Sequence, residues 1–325
     1  MGRRLALAVC LLACSLFGAT AASGAPGRDS VRPQPPTSDE VQQETKRFLD
    51  SLPPERGPRA GAAGKTGGTE QGGDGLLFPE NRVVAFYGAP QMGATIVGRK
   101  SLSAAKRRLR KQTRPYDVEG RQAIPGFDLV AVIATADRGG DGKYRTRQSN
   151  AVIERYLNAA EAIGGRLILD IQPARSTFIK EVRPLDKWLA RPNVDIALDP
   201  EWNVGRKGVP GRTVGSVGAK TLNRVSGYMD LLCKQENLPQ KALVIHQFRD
   251  GSVRERGKVE QRDKVDVTLN FDGIGGAAAK EAGYQRLTRD DLFAGFSLFY
   301  RLDSGLMSPS KVMRLDPSPN FVLYQ

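Results

Sequence analysis

Four times in its C-terminal half the chain sets two polar side chains around one other residue: Asp170-Ile171-Gln172, Asp199-Pro200-Glu201, Asn270-Phe271-Asp272 and Arg301-Leu302-Asp303. Each triplet closes an apolar run. Residues two apart on a strand share a face, so both polar groups of a triplet would project to one side. Asp199-Pro200-Glu201-Trp202 is the sharpest of the four. Two carboxyls on one face titrate together, and one is driven toward the neutral acid near neutral pH. A neutral carboxylic acid is the group that protonates a glycosidic oxygen. Glu201 is therefore the expected general acid beside Asp199, with Asp170 or Asp272 as nucleophile or water-activating base. Any one of these acids could instead cap a helix or hold a salt bridge. Their recurrence argues for a site, because carboxylates meeting at one mouth repel each other.

Tyr87, Gln247 and Gln325 end other apolar runs. Together with Gln172, Arg175, Trp202, Asn270, Arg301 and Asp303 they form the expected substrate-contacting set. Trp202 could stack on a sugar ring or pack against a helix.

Other chemistries are excluded by residue type. His246 is the single histidine, which removes sites built on His pairs, including His-x-His and Asp-His-His metal centres. Its parity with Val244 and Phe248, opposite to Gln247, predicts the helix-facing side of a strand. No strand end carries a lysine for Schiff-base chemistry. No metal and no cofactor are expected; a carboxylate-only Mg2+ or Ca2+ site ranks below acid–base catalysis.

The elements that must position these groups begin at Asn81. Apolar runs at 83–87, 129–135, 167–172, 194–200, 242–247, 265–272, 296–303 and 321–324 alternate with helical patterns. Short, largely apolar runs fit parallel strands covered on both faces. Helices between them are marked by the period of Ile153, Tyr156, Leu157 and Ala160, and by the Ser308-Pro309 start signal. Eight such units in ~245 residues predict an α/β fold, a (β/α)8 TIM barrel with its active site at the C-terminal strand ends. An open nucleotide-binding sheet would show a glycine-rich loop after its first strand, and residues 88–93 lack that fingerprint. The run at 321–324 leaves no eighth helix, so residues 37–52, the upstream segment with an apolar helical stripe, are expected to cover the last strand.

Ahead of the barrel, Arg3 and Arg4, an apolar stretch and Ala19-Thr20-Ala21 have the order of a signal peptide over residues 1–21. Cleavage after Ala21 is expected, with lipidation at Cys14 in Leu11-Leu12-Ala13-Cys14 as the alternative; only the latter would bring a membrane. Residues 22–80 have the composition of a tether with a short helix near 38–52, and 55–78 offer little apolar surface to offset ordering entropy. Cys233 is expected in the core. A net charge of +14 suits an anionic cell-wall polymer as partner. The densest basic run, 106–111, lacks the interleaved aromatics of nucleic-acid binders. The expected protein is secreted or held in the cell envelope, monomeric, and a partner of polysaccharide rather than nucleic acid. It acts either as a glycoside hydrolase or as a non-catalytic glycan-binding barrel.

The blocks Val84-Ala85-Phe86-Tyr87-Gly88, Leu169-Asp170-Ile171-Gln172 with Arg175-Ser176-Thr177, Ala197-Leu198-Asp199-Pro200-Glu201-Trp202, Val244-Ile245-His246-Gln247-Phe248 and Val322-Leu323-Tyr324-Gln325 resemble a family of exported actinobacterial proteins across residues 81–325. That resemblance implies a glycosidase-like barrel and no catalytic roles. Asp199-x-Glu201 is also similar to the end of the fourth strand in family-18 chitinases, whose Glu is the acid. Asp195 does not keep the spacing of that family's earlier acids, and the rest of its signature is absent.

Overall fold

The computed structural model describes residues 76–118 and 120–325. The expected leader, most of the expected tether and the helix expected near 38–52 lie outside them. Eight strands form a closed parallel barrel: β1 (Asn81–Gly88), β2 (Gln122–Ala134), β3 (Arg166–Ile171), β4 (Val194–Leu198), β5 (Lys241–Gln247), β6 (Val265–Phe271), β7 (Phe293–Leu298) and β8 (Phe321–Tyr324). Closure comes from β1, which pairs with β2 on one side, Val83 opposite Ile124, and with β8 on the other, Val83 opposite Phe321. The expected barrel is present.

The strand boundaries that differ most from expectation are the start of β2 and the end of β7. β2 begins seven residues earlier than the 129–135 run, reaching back through Gly126 to Gln122. β7 stops at Leu298, so Arg301 and Asp303 lie in the loop beyond it rather than on a shared strand face. Hydrophobicity misleads in both places: Pro125-Gly126 looks like a turn, and Phe299 and Tyr300 look like more strand.

Every residue of β3, β4, β5 and β6 is buried, as strands covered on both faces require. The outer layer includes helices Asn150–Glu161, Ala219–Gln235 and Ala277–Leu287. The Ser149 hydroxyl accepts from the Val152 amide, starting a helix that buries Ile153, Tyr156, Leu157 and Ala160. Between β5 and β6 there is no α-helix; a two-residue strand (Val253–Arg254) and a 3-10 turn take its place. Among the described residues, two aromatic rings pack on the outer face of β8. Tyr116 donates or accepts a 2.7 Å hydroxyl bond with Tyr324, and Tyr300 stacks on the same ring with centroids 5.3 Å apart.

Inside, Gly126 faces the barrel axis. A Cβ there would come within 3.0 Å of Ile168 Cδ1 and 3.3 Å of both Ala85 Cβ and Val83 Cγ1. Its missing side chain lets three others fill the centre. Below this layer the interior is charged. Arg166 donates to both oxygens of Asp195 at 2.6 and 2.8 Å, and Asp195 Oδ1 also accepts from the Ala242 amide. Leu77 and Phe78 close the base: the Phe78 amide donates to Asp266, the Leu77 amide to Gln240, and the Phe78 ring meets Phe293 at 5.4 Å. Both residues are 2% exposed. Leu77 and Phe78, expected in the tether, therefore belong to the base of the barrel.

Burial pushes the Asp266 carboxyl up to about 7. The folded state then holds a proton that the unfolded chain releases near pH 4, so stability falls as pH rises from about 4 to about 7. Asp266→Asn keeps an acceptor for Phe78 and removes that loss. Its melting temperature should exceed wild type by roughly 5 °C at pH 8 and match it near pH 4. An equal gain at both pH values would contradict the titration.

Candidate active site at the barrel mouth

The mouth is built by strand parity. In a parallel barrel, paired residues point to the same side. Gly126 and Ile168 share the axis, so Asp128, Asp170 and Gln172 continue that face toward the C-terminal end. Asp199 follows the same parity from Ala197 on β4. His246 pairs with Asn270 across β5 and β6, and both point inward.

At the centre is His246, 3% exposed. Its Nε2 lies 3.6 Å from Asp170 Oδ2, and its Nδ1 lies 3.3 Å from Asp272 Oδ2 and 3.2 Å from Asn270 Nδ2. The Asn270 amide donates to Ser297 Oγ at 2.8 Å. Tyr87 stands beside the imidazole, ring centroids 6.3 Å apart, and its hydroxyl accepts from Gln172 Nε2 at 3.0 Å. Gln172 Oε1 in turn accepts from the Ala134 amide.

Burial dominates the electrostatics. It raises the Asp128 carboxyl well above the carboxylate range, and Asp170 adds to the rise. Asp199 is raised likewise, by burial and then by Asp170. Asp170 is raised to about 6 by burial, with His246 holding it down. The Ile171 amide gives Asp170 an electrostatic contact but not hydrogen-bond geometry. For His246, burial alone would lower the imidazole. The Asp272 hydrogen bond and the charges of Asp170, Asp272 and Asp199 outweigh it, to about 10. Tyr87 rises through burial and through the charges of Asp170, Asp199, Asp128 and Asp272.

Of the expected catalytic acids, Asp170, Asp199 and Asp272 gather around His246. Glu201 is close enough to act on Asp199 electrostatically, but from a different element than expected. It sits in the 3-10 turn Pro200–Trp202, whose N-cap is Asp199: Asp199 Oδ1 accepts from the Glu201 amide at 3.2 Å. Pro200 ends the strand, so the two acids are not neighbours on one strand face. Glu201 is half-buried at the rim.

Tyr87, Gln172 and Asn270 line the cluster as expected, and Gln325 is half-buried beside the end of β7, its carbonyl accepting from Tyr300. Five others serve elsewhere. Trp202 packs with Ala134, Ala174 and Tyr144 and is 7% exposed, so it offers no open ring face. Arg175 lies over the Tyr144 ring and donates to the Gly208 and Lys207 carbonyls, anchoring a loop. Gln247 faces outward and donates to the Leu287 carbonyl. Arg301 is exposed. Asp303 is taken by buried Lys280 at 2.9 Å and by the Phe299 amide.

Two residues at the centre escaped the sequence reading. Asp128 lay one residue outside the expected second strand, although it is the single charge between Ile124 and Ala134. His246 points inward, opposite to the helix-facing side expected from its parity with Phe248. No metal ligands were expected, yet Asp128, Asp170 and His246 bring ligand atoms within 4.8 Å of one another.

The fold and mouth define a (β/α)8 barrel with a buried carboxylate–histidine centre. No family model matches the chain, and no curated protein matches it. Among solved structures, a GH18 chitinase from Pseudoalteromonas aurantia superposes with a TM-score of 0.36 and 13% identity, covering 75% of this chain and 93% of the other. A superposition that loose carries no information about chemistry.

Proposed function

We propose that the chain is a glycoside-hydrolase-like enzyme, acting outside the cell or in its envelope on a polysaccharide or anionic cell-wall glycan. One observation carries the reading: acids from four strands, Asp128, Asp170, Asp199 and Asp272, meet in the barrel mouth, with Glu201 at the half-buried rim. Glu201 protonates the glycosidic oxygen. Asp272, at 14% side-chain exposure the most open of the inner acids, acts as nucleophile or water-activating base, in preference to the fully enclosed Asp170. That enclosure, shared by Asp128, favours the second reading, a barrel that holds the same polymer without cleaving it.

Incubation with cell-envelope polysaccharides, read as reducing ends released, tests both. Wild type should release sugar, and Glu201→Gln, which keeps shape and removes the proton, should be about 10²–10⁴-fold slower. Full activity in that variant rules out Glu201 as the acid. Polymer retained on the protein with no release establishes the binding barrel.

A further inference from the structure

We propose that Asp128, Asp170 and His246 bind a divalent transition-metal ion, of the Zn2+ or Mn2+ kind, at the floor of the mouth. The three come from β2, β3 and β5, and their ligand atoms lie within 4.8 Å of one another. Asp128 and Asp170 are 0% exposed and His246 is 3% exposed. Both oxygens of Asp128, both of Asp170 and Nε2 of His246 meet no hydrogen-bond partner among the described residues. Buried polar atoms are almost always paired, and five orphans on three residues whose ligand atoms converge need a common cause.

An ionic pair between His246 and Asp170 does not supply it. Nε2 and Asp170 Oδ2 are 3.6 Å apart, beyond hydrogen-bond range, and such a pair leaves Asp128 unanswered. The same separation is close to the ~3.4 Å expected between adjacent ligands on a tetrahedral ion with bonds of ~2.1 Å. A single divalent cation would satisfy both carboxylates and the imidazole together.

The far side of the ring agrees. His246 Nδ1 lies 3.3 Å from Asp272 Oδ2; a proton held there leaves the Nε2 lone pair directed at Asp170 and Asp128. Carboxylate behind imidazole is the usual support of a metal-binding histidine. Mixed imidazole and carboxylate donors suit Zn2+ or Mn2+, whereas Mg2+ and Ca2+ prefer oxygen alone. Three protein donors leave a position for water or a substrate oxygen. None of this depends on Glu201 or on a glycan.

The single histidine makes a direct test possible. Full-length protein carrying 15N-labelled histidine is stripped with chelator and titrated with Zn2+. The imidazole Nε2 resonance should move to completion at one equivalent while Nδ1 keeps its proton, and the melting temperature should rise. Asp128→Asn should weaken Zn2+ at least tenfold. Mg2+ should leave the resonance in place. An Nε2 signal indifferent to Zn2+ and Mn2+ overturns the site, and that readout on wild type stands even if the variant fails to fold. Equal affinity in folded Asp128→Asn removes Asp128 as a ligand, and tight Mg2+ binding overturns the class of ion.

Discussion

Replacing Asp195 by Ala should destabilise the barrel by about 3–5 kcal/mol, the usual cost of leaving one partner of a buried ion pair alone. Arg166 and Asp195 are 3% and 1% exposed. With Asp195 gone, the guanidinium loses both short bonds and the Ala242 amide loses its acceptor. For a domain of this size the melting temperature should fall by roughly 10 °C. The double variant Arg166→Met/Asp195→Leu removes the charge and its partner together, and should lie much closer to wild type. Thermal unfolding of the single and double variants decides it. A single variant within 1 kcal/mol of wild type would mean that water reaches the base of the barrel.

The second large effect is expected just ahead of β1. Phe78→Ala should cost about 3–5 kcal/mol, because a fully buried aromatic leaves both its transfer energy and a cavity behind. The ring fills the base against Phe293 while its amide caps Asp266. Two residues earlier, Leu76 is 36% exposed, and Leu76→Ala should stay within ~0.5 kcal/mol. Denaturant midpoints of the two variants give the comparison. Similar midpoints would show that residues 77 and 78 only lie against the barrel and do not close it.

Much of the barrel was legible because its signals are local and redundant. Eight apolar runs alternating with helical periods leave few architectures, and a misplaced boundary on β2 or β7 does not change the count. Ser308 marked a helix start by a side chain-to-amide bond within its own turn. The acids Asp170, Asp199 and Asp272 were found because each ends a strand, where a barrel places its mouth. Leu77 and Phe78 were not: two apolar residues after a long polar stretch carry no period to read.

The sequence by itself determined the order of elements, the mouth as the place for chemistry, and the limit that one histidine sets on what that chemistry can be. Tertiary structure decided which face each strand turns inward. Parity is relative, and one misjudged residue inverts a whole strand. Phe248 suggested an outward His246, but Phe248 lies past the end of β5. The register of His246 with Asn270, and the Leu287 carbonyl waiting for Gln247, set the opposite face. That turn of one strand carries the imidazole from the helix layer into the ring of aspartates. Asp128 joined them for a similar reason. Nothing local distinguishes a buried acid on a long strand from one in the loop before it; only the neighbouring strands, by pairing with residues 122–128, could.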